Sequence, residues 1–142
     1  MTASLDKQAS VQLRRQFQPP EEDVAALDTS GCPWETIVAE GVRWLLVHEW
    51  PVPPGLTATR VTAAVRIVTG YPAAALDMIY LNPPLQRSDG QAILGLSTLL
   101  LDGGTFQQWS RHYTPANPWR IGVDDVSSHL RAAEEWLRRA AQ

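Results

Sequence analysis

Residues 34–67 are built from three successive runs of period-two side-chain pattern, each cut off by residues that turn the chain. This narrows the possible folds more than any other feature, because period two marks a strand and not a helix. Val42 to Trp50 carries the pattern most clearly. Trp44, Leu46, His48 and Trp50 fall on one face, and Arg43, Leu45, Val47 and Glu49 on the other. Before it, Trp34 to Glu40 holds Thr36, Ile37 and Val38, and Glu40-Gly41 suits a tight hairpin between the two runs. Pro51, Pro53, Pro54 and Gly55 break the pattern. Thr59 to Thr69 resumes it, with Val61, Ala63, Val65 and Ile67 on one face. Gly70-Tyr71-Pro72 punctuates again, and a fourth apolar run, Leu76 to Leu81, stops at Asn82-Pro83-Pro84. Four strands joined by short turns predict an antiparallel meander.

Helical signals flank this block. Pro19-Pro20 followed by Glu21-Glu22-Asp23 is an acidic helix start, and Ser30-Gly31 ends that helix. Near the C-terminus Val123, Val126, Leu130, Ala133 and Leu137 recur at spacings of three and four. Asp124 and Asp125 are expected in the first turn of this helix and Arg138 and Arg139 in its last, both in accord with the helix dipole. Residues 91–101, QAILGLSTLLL, are expected to be a partly extended covering segment. Residues 105–119, TFQQWSRHYTPANPW, read as irregular, with Asp102-Gly103-Gly104 as a turn before them. Residues 1–18 are expected to form a short helix or a loose tail, so residues 1–20 stand apart from a domain over 21–142. The predicted fold class is α+β: N-terminal helix, four-stranded meander, irregular segment, C-terminal helix.

Composition excludes several functions. The chain has 142 residues, enough for one domain with a core, and a net charge of -3 that argues against a nucleic-acid partner. No apolar run is long enough to span a membrane, and the N-terminus lacks the apolar stretch of a secretory signal. The single cysteine, Cys32, fits a reducing cytoplasm and rules out an internal disulfide or a cysteine-based zinc site. Histidines at 48, 112 and 129 are too scattered in sequence to suggest a metal site, and no cofactor motif is present. His48, on the apolar face of its strand, is expected to be a satisfied core histidine. His129 is expected at the edge of a buried helical stripe.

The order of elements, together with several short motifs, resembles the ubiquitin-conjugating-enzyme fold. Gly70-Tyr71-Pro72, Leu76-Asp77-Met78 and Asn82-Pro83-Pro84-Leu85 are similar to that fold's Tyr-Pro turn, fourth strand and His-Pro-Asn corner. Trp109-Ser110-Arg111-His112, followed by Pro118-Trp119-Arg120, Gly122, Asp124 and Asp125, resembles one bacterial branch, the prokaryotic conjugating-enzyme-like proteins of family E. The resemblance implies a place in a bacterial ubiquitin-like modification system, some of which have antiviral roles. The implied partners are a ubiquitin-like protein, an activating enzyme of the same operon and a JAB-type peptidase. Two departures stand out. Gly90-Gln91-Ala92-Ile93 holds no cysteine where the thioester would form, and Leu81-Asn82-Pro83 stands where His-Pro-Asn would.

Another nucleophile is therefore needed if the chain transfers acyl groups. In an extended segment Ser110 and His112 point the same way, which sets a hydroxyl beside a base. Asp124 or Asp125 is the candidate for orienting the histidine, and Arg111 or Arg120 for gripping an oxyanion or a carboxylate. Ser97 and Thr98 lie closer to the usual thioester position, but their leucine neighbours suggest burial. Cys32 precedes the first strand, away from the usual site. The competing reading is a binding module: Trp109 and Trp119 pin the segment, Ser110 and His112 satisfy backbone groups, Arg120 pairs with Asp124, and the surface recognises a ubiquitin-like protein or its activating enzyme. A third reading makes the N-terminal segment, 1–18, a docking arm.

Overall fold

In the computed structural model, which describes residues 12–142, Glu40 and Gly41 turn the chain with φ of 53° and 78°. They join strands β1 (Trp34–Ala39) and β2 (Val42–Pro51) in an antiparallel hairpin. Helix α1 (Glu21–Ser30) precedes it and ends at Gly31, whose φ of 77° is the left-handed conformation that stops a helix. Strands β3 (Arg60–Ile67) and β4 (Ile79–Asn82) continue the meander.

The sheet does not end there. Strands β5 (Leu96–Leu101) and β6 (Gly104–Trp109) form a second hairpin about Asp102-Gly103, and β6 pairs with β4. The result is six antiparallel strands in the order β1-β2-β3-β4-β6-β5, not a four-stranded meander. Leu96–Leu101 makes the covering segment partly extended, as expected, while residues 105–109 of the segment read as irregular are strand. Helix α2 (Val126–Ala140) closes the chain. Asp125 is its N-cap, accepting from Ser128 N–H at 3.0 Å, so Asp124 and Asp125 precede the first turn and do not lie in it.

Both faces of the sheet are apolar, and each gathers its own cluster. One packs Leu45, Val47, Trp50, Val65, Ile79, Leu81 and Trp109 against Leu27 of α1 and Val126, Ala133 and Leu137 of α2. The other gathers Ile37, Trp44, Leu46, Tyr80 and Phe106. Trp50 lies with Leu45 and Val47, against the plain alternation. The register slips between Val47 and Trp50, where Glu49 adopts φ 57°, and this bulge returns Trp50 to the helix side.

Residues 14–16 cover the free edge of β1. Thr36 N–H donates to Arg14 O at 3.0 Å and Gln16 N–H to Thr36 O at 2.9 Å. No helix forms over residues 12–20, and residues 1–11 lie outside the described residues, as does that part of the predicted tail. The Arg14 guanidinium reaches both Glu35 on β1 (2.8 Å) and Asp102 in the β5–β6 turn (2.7 Å). In a flat sheet β1 and β6 would stand about 20 Å apart, so the sheet must curl strongly around its second cluster.

His48 joins this polar group and is only half-buried, not a core residue. Its Nε2–H donates to Glu35 at 2.8 Å, and Nδ1 lies 2.9 Å from the Thr62 hydroxyl. Hydrogen bonds from Arg14, then from His48, hold the Glu35 carboxyl down at about 2. A depressed carboxyl pKa gives stability that is present above the unfolded value of 4.5 and lost as pH falls through about 2. Glu35→Gln should therefore lose about 2 kcal/mol less than wild type between about pH 5 and pH 2, after allowing for solvent at Arg14. Urea denaturation across that range measures it. Parallel curves would mean the cluster adds nothing.

Candidate functional site

The chain leaves β6 at Trp109 and stays tied to both neighbouring strands for two more residues. Ser110 N–H donates to Gly95 O at 2.9 Å, and Met78 N–H donates to Arg111 O at 3.1 Å. Thr114 and Asn117 then exchange backbone hydrogen bonds in a turn, and Asp124 N–H returns to Arg120 O at 2.8 Å before α2 begins.

Aromatic side chains fasten this excursion. Trp109 is fully buried, and its Nε1–H donates to Gln107 Oε1 at 2.9 Å. Trp119 donates through Nε1 to Pro72 O at 3.1 Å and meets Tyr113 edge-on, with ring centres 5.4 Å apart. The Tyr113 hydroxyl lies 2.8 Å from His129 Nδ1, and His129 Nε2 lies 2.8 Å from Met78 O. A carbonyl can only accept, so Nε2 carries the proton and Nδ1 accepts from Tyr113. His129 is fully buried, not at the edge of the helical stripe, and burial lowers its pKa and raises that of Tyr113. Tyr71 makes a second junction. Its hydroxyl donates to the buried Asp23 carboxylate at 2.6 Å and accepts from Val126 N–H at 2.8 Å. Burial is also the main reason the Asp23 carboxyl is raised.

The sequence-predicted residues separate into two groups. Asp124 accepts from Arg120 N–H at 2.6 Å and from Arg120 Nε at 3.5 Å, and Asp125 caps α2. Neither is hydrogen-bonded to His112. Asp77 takes that position: its two carboxylate oxygens lie 2.9 and 3.0 Å from His112 Nδ1. Both side chains are about half exposed, at 58% for His112 and 47% for Asp77. With Nδ1–H donating to Asp77, the Nε2 lone pair of the neutral ring remains available as a base. Asp77 stands in the Leu76-Asp77-Met78 motif, where nothing in the sequence marks it as the partner of His112. The pairing spans thirty-five residues and has no local signal.

Ser110 is exposed, and among the described residues no hydrogen bond joins its hydroxyl to His112. Arg111 lies over the Trp109 ring at 5.1 Å and donates to Leu94 O at 3.0 Å and Ser110 O at 3.2 Å. Arg120 is exposed. Ser97 and Thr98 are exposed on β5, against the burial their leucine neighbours suggest. Cys32 lies beside the β2 bulge, its Sγ 3.6 Å from Glu49 O. At the corner, Asn82 Nδ2 donates to Thr105 O at 2.8 Å. A groove of about 680 Å³ is lined by Phe17, Arg43, Arg66 and Tyr71 and includes neither Asp77 nor His112. Among the described residues no three His, Cys, Asp or Glu side chains gather as a metal site, and no helix is long and apolar enough to cross a membrane.

An α+β sheet flanked by two helices, with the Tyr-Pro turn and the Trp-Ser-Arg-His segment brought to one end, defines a protein of the conjugating-enzyme-like class. The chain belongs to prokaryotic E2 family E, whose model matches residues 19–140. Neither the curated proteins nor the solved structures give a match.

Tyr113→Phe leaves the buried His129 Nδ1 without a donor and should cost about 1–2 kcal/mol by urea denaturation. His112→Ala removes an exposed ring and should change stability by less than about 0.5 kcal/mol. Equal losses from the two would contradict this division between anchor and site.

Proposed function

We propose that the chain handles a ubiquitin-like protein in a prokaryotic modification system, and that Asp77 and His112 form its acid–base centre. The observation that carries this is the Asp77–His112 contact, which joins two of the motif stretches and leaves Nε2 free at the surface. Ser110 is the neighbouring hydroxyl. Its Oγ attacks the carbonyl of a ubiquitin-like C-terminus held as a thioester on the activating enzyme. His112 Nε2 takes the serine proton and returns it to the departing thiolate, which leaves the acyl group on Ser110 as an ester. The Ser110 hydroxyl and His112 come into hydrogen-bond contact only when substrate is bound, as catalytic contacts often do. Asp77 holds the ring in the tautomer this requires. The activating enzyme of the same operon supplies the acyl group, a JAB-type peptidase acts in the same system, and the setting is cytoplasmic.

A second reading, a non-catalytic binding module, is favoured by the unlinked Ser110 hydroxyl and by the use of Trp109 and Trp119 as anchors. The two separate in a reconstitution with activating enzyme, mature ubiquitin-like protein and ATP, read on a denaturing gel. Transfer predicts an adduct that resists thiols, is cleaved by hydroxylamine, and is lost in Ser110→Ala and His112→Ala. Asp77→Asn should slow its formation by about a hundredfold or more, in line with the loss of an orienting carboxylate. With active partners, no adduct but saturable binding that survives Ser110→Ala would establish the binding module. A thiol-sensitive adduct lost in Cys32→Ala would overturn both.

A further inference from the structure

The two edges of the sheet are treated differently. β1 is covered by the chain's own residues 14–16, whereas among the described residues nothing pairs with the outer edge of β5. That edge is regular. It keeps register with β6 over all six residues from Leu96 to Leu101, with no bulge, proline or charged side chain to blunt it. Natural sheets usually block such edges, because their free N–H and C=O groups are a template for another strand. The ladder shows which groups are free. Ser110 N–H donates to Gly95 O, so Gly95 and Ser110 are a hydrogen-bonded pair. Counting in twos along an antiparallel ladder, Ser97, Leu99 and Leu101 turn their backbone groups toward β6, and Leu96, Thr98 and Leu100 turn theirs outward. Leu94 and Leu100, 82% and 81% exposed, flank the row.

One end of this edge carries a cation. Arg111 lies across Leu94 and Gly95 and spends two of its five N–H donors on carbonyls there. It has no carboxylate partner among the described residues, and burial is the one influence on its pKa, which it lowers. Gly95 makes room for it: a Cβ at that position would stand 2.8 Å from Arg111 Nη1, and φ is 74°. A strand added antiparallel to β5 would bring its carboxyl end to Leu94–Gly95, where the guanidinium is.

We infer that the β5 edge is a strand-addition site for the extended C-terminal tail of a partner protein, its carboxylate received by Arg111. The inference rests on the proposed function for the identity of that partner, a ubiquitin-like protein whose free-acid tail docks here before activation or after release, since the thioester form carries no carboxylate. Main-chain hydrogen bonds from Leu96, Thr98 and Leu100 hold the tail, and Arg111 selects chains that end there.

The test uses an eight-residue peptide of alternating valine and serine, as free acid and as C-terminal amide, with amide exchange and chemical shifts read by NMR. The free acid should protect the Leu96, Thr98 and Leu100 amides and leave Ser97 and Leu99 unchanged. The amide should bind about tenfold more weakly, and Arg111→Gln should bring the two peptides level. Thr98→Pro removes an outward donor without breaking a β5–β6 bond, so it should keep the fold and abolish protection. Protection elsewhere, or equal binding of both peptides by wild type, overturns the inference. So does protection of the β5 amides that rises with protein concentration before peptide is added, since a second copy would then hold the edge. Thiol-resistant adduct formation that persists when the peptide fails leaves the function reading standing, and peptide binding without adduct does the reverse.

Discussion

One fully buried imidazole ties together the elements that carry the candidate site. His129 projects from α2 and makes two hydrogen bonds, one to the Met78 carbonyl just before β4 and one to the Tyr113 hydroxyl beyond β6. A helix, a strand entrance and the excursion after β6 therefore meet at a single ring. The cost of stranding either polar group in the interior makes the three hard to separate. Asp77 immediately precedes Met78, and His112 immediately precedes Tyr113. The two residues that form the surface dyad are the sequence neighbours of the two groups that His129 binds. The exposed contact is thus held by the buried one, and the dyad needs little packing of its own.

The same economy holds at the start of the helices. The Tyr71 hydroxyl satisfies one of the unpaired N–H groups at the head of α2 and donates to a carboxylate in the first turn of α1. The second helix begins with its own capping box, and its amphipathic face then seals one side of the sheet. The other side is closed by curvature, with Arg14 bridging Glu35 and the β5–β6 turn. One edge of the sheet is finished by the chain itself, and the other is left regular and open.

Much of this is legible in the sequence where local chemistry decides it. Helix α1, the Glu40-Gly41 hairpin and β3 follow from turn residues and alternation alone. Asp102-Gly103 is equally legible as a turn, yet the strands it joins are not. Gln107 and Gln108 interrupt the apolar pattern of β6, and Gln107 is buried only because Leu85 backbone groups and the Trp109 ring nitrogen satisfy it. Trp50 changes face because a bulge adds one residue to the count. At the site, Ser110, His112 and the tryptophan anchors are visible from the motif. Asp77 as the partner of His112 is not, since only the tertiary fold brings residues so far apart in sequence into contact. Asp124 and Asp125 are nearer in sequence but are already engaged, one by Arg120 and the other by the helix cap.

The measurement that bears most directly on this account is the tautomer of each imidazole, read from long-range nitrogen–proton NMR correlations near pH 8. His129 should carry its proton on Nε2, held by the Met78 carbonyl. His112 should carry it on Nδ1, facing Asp77, and should lose that preference in Asp77→Asn while His129 stays unchanged. A His112 ring protonated on Nε2 and indifferent to Asp77→Asn would contradict the account, because its free nitrogen would then not be the one turned to the surface.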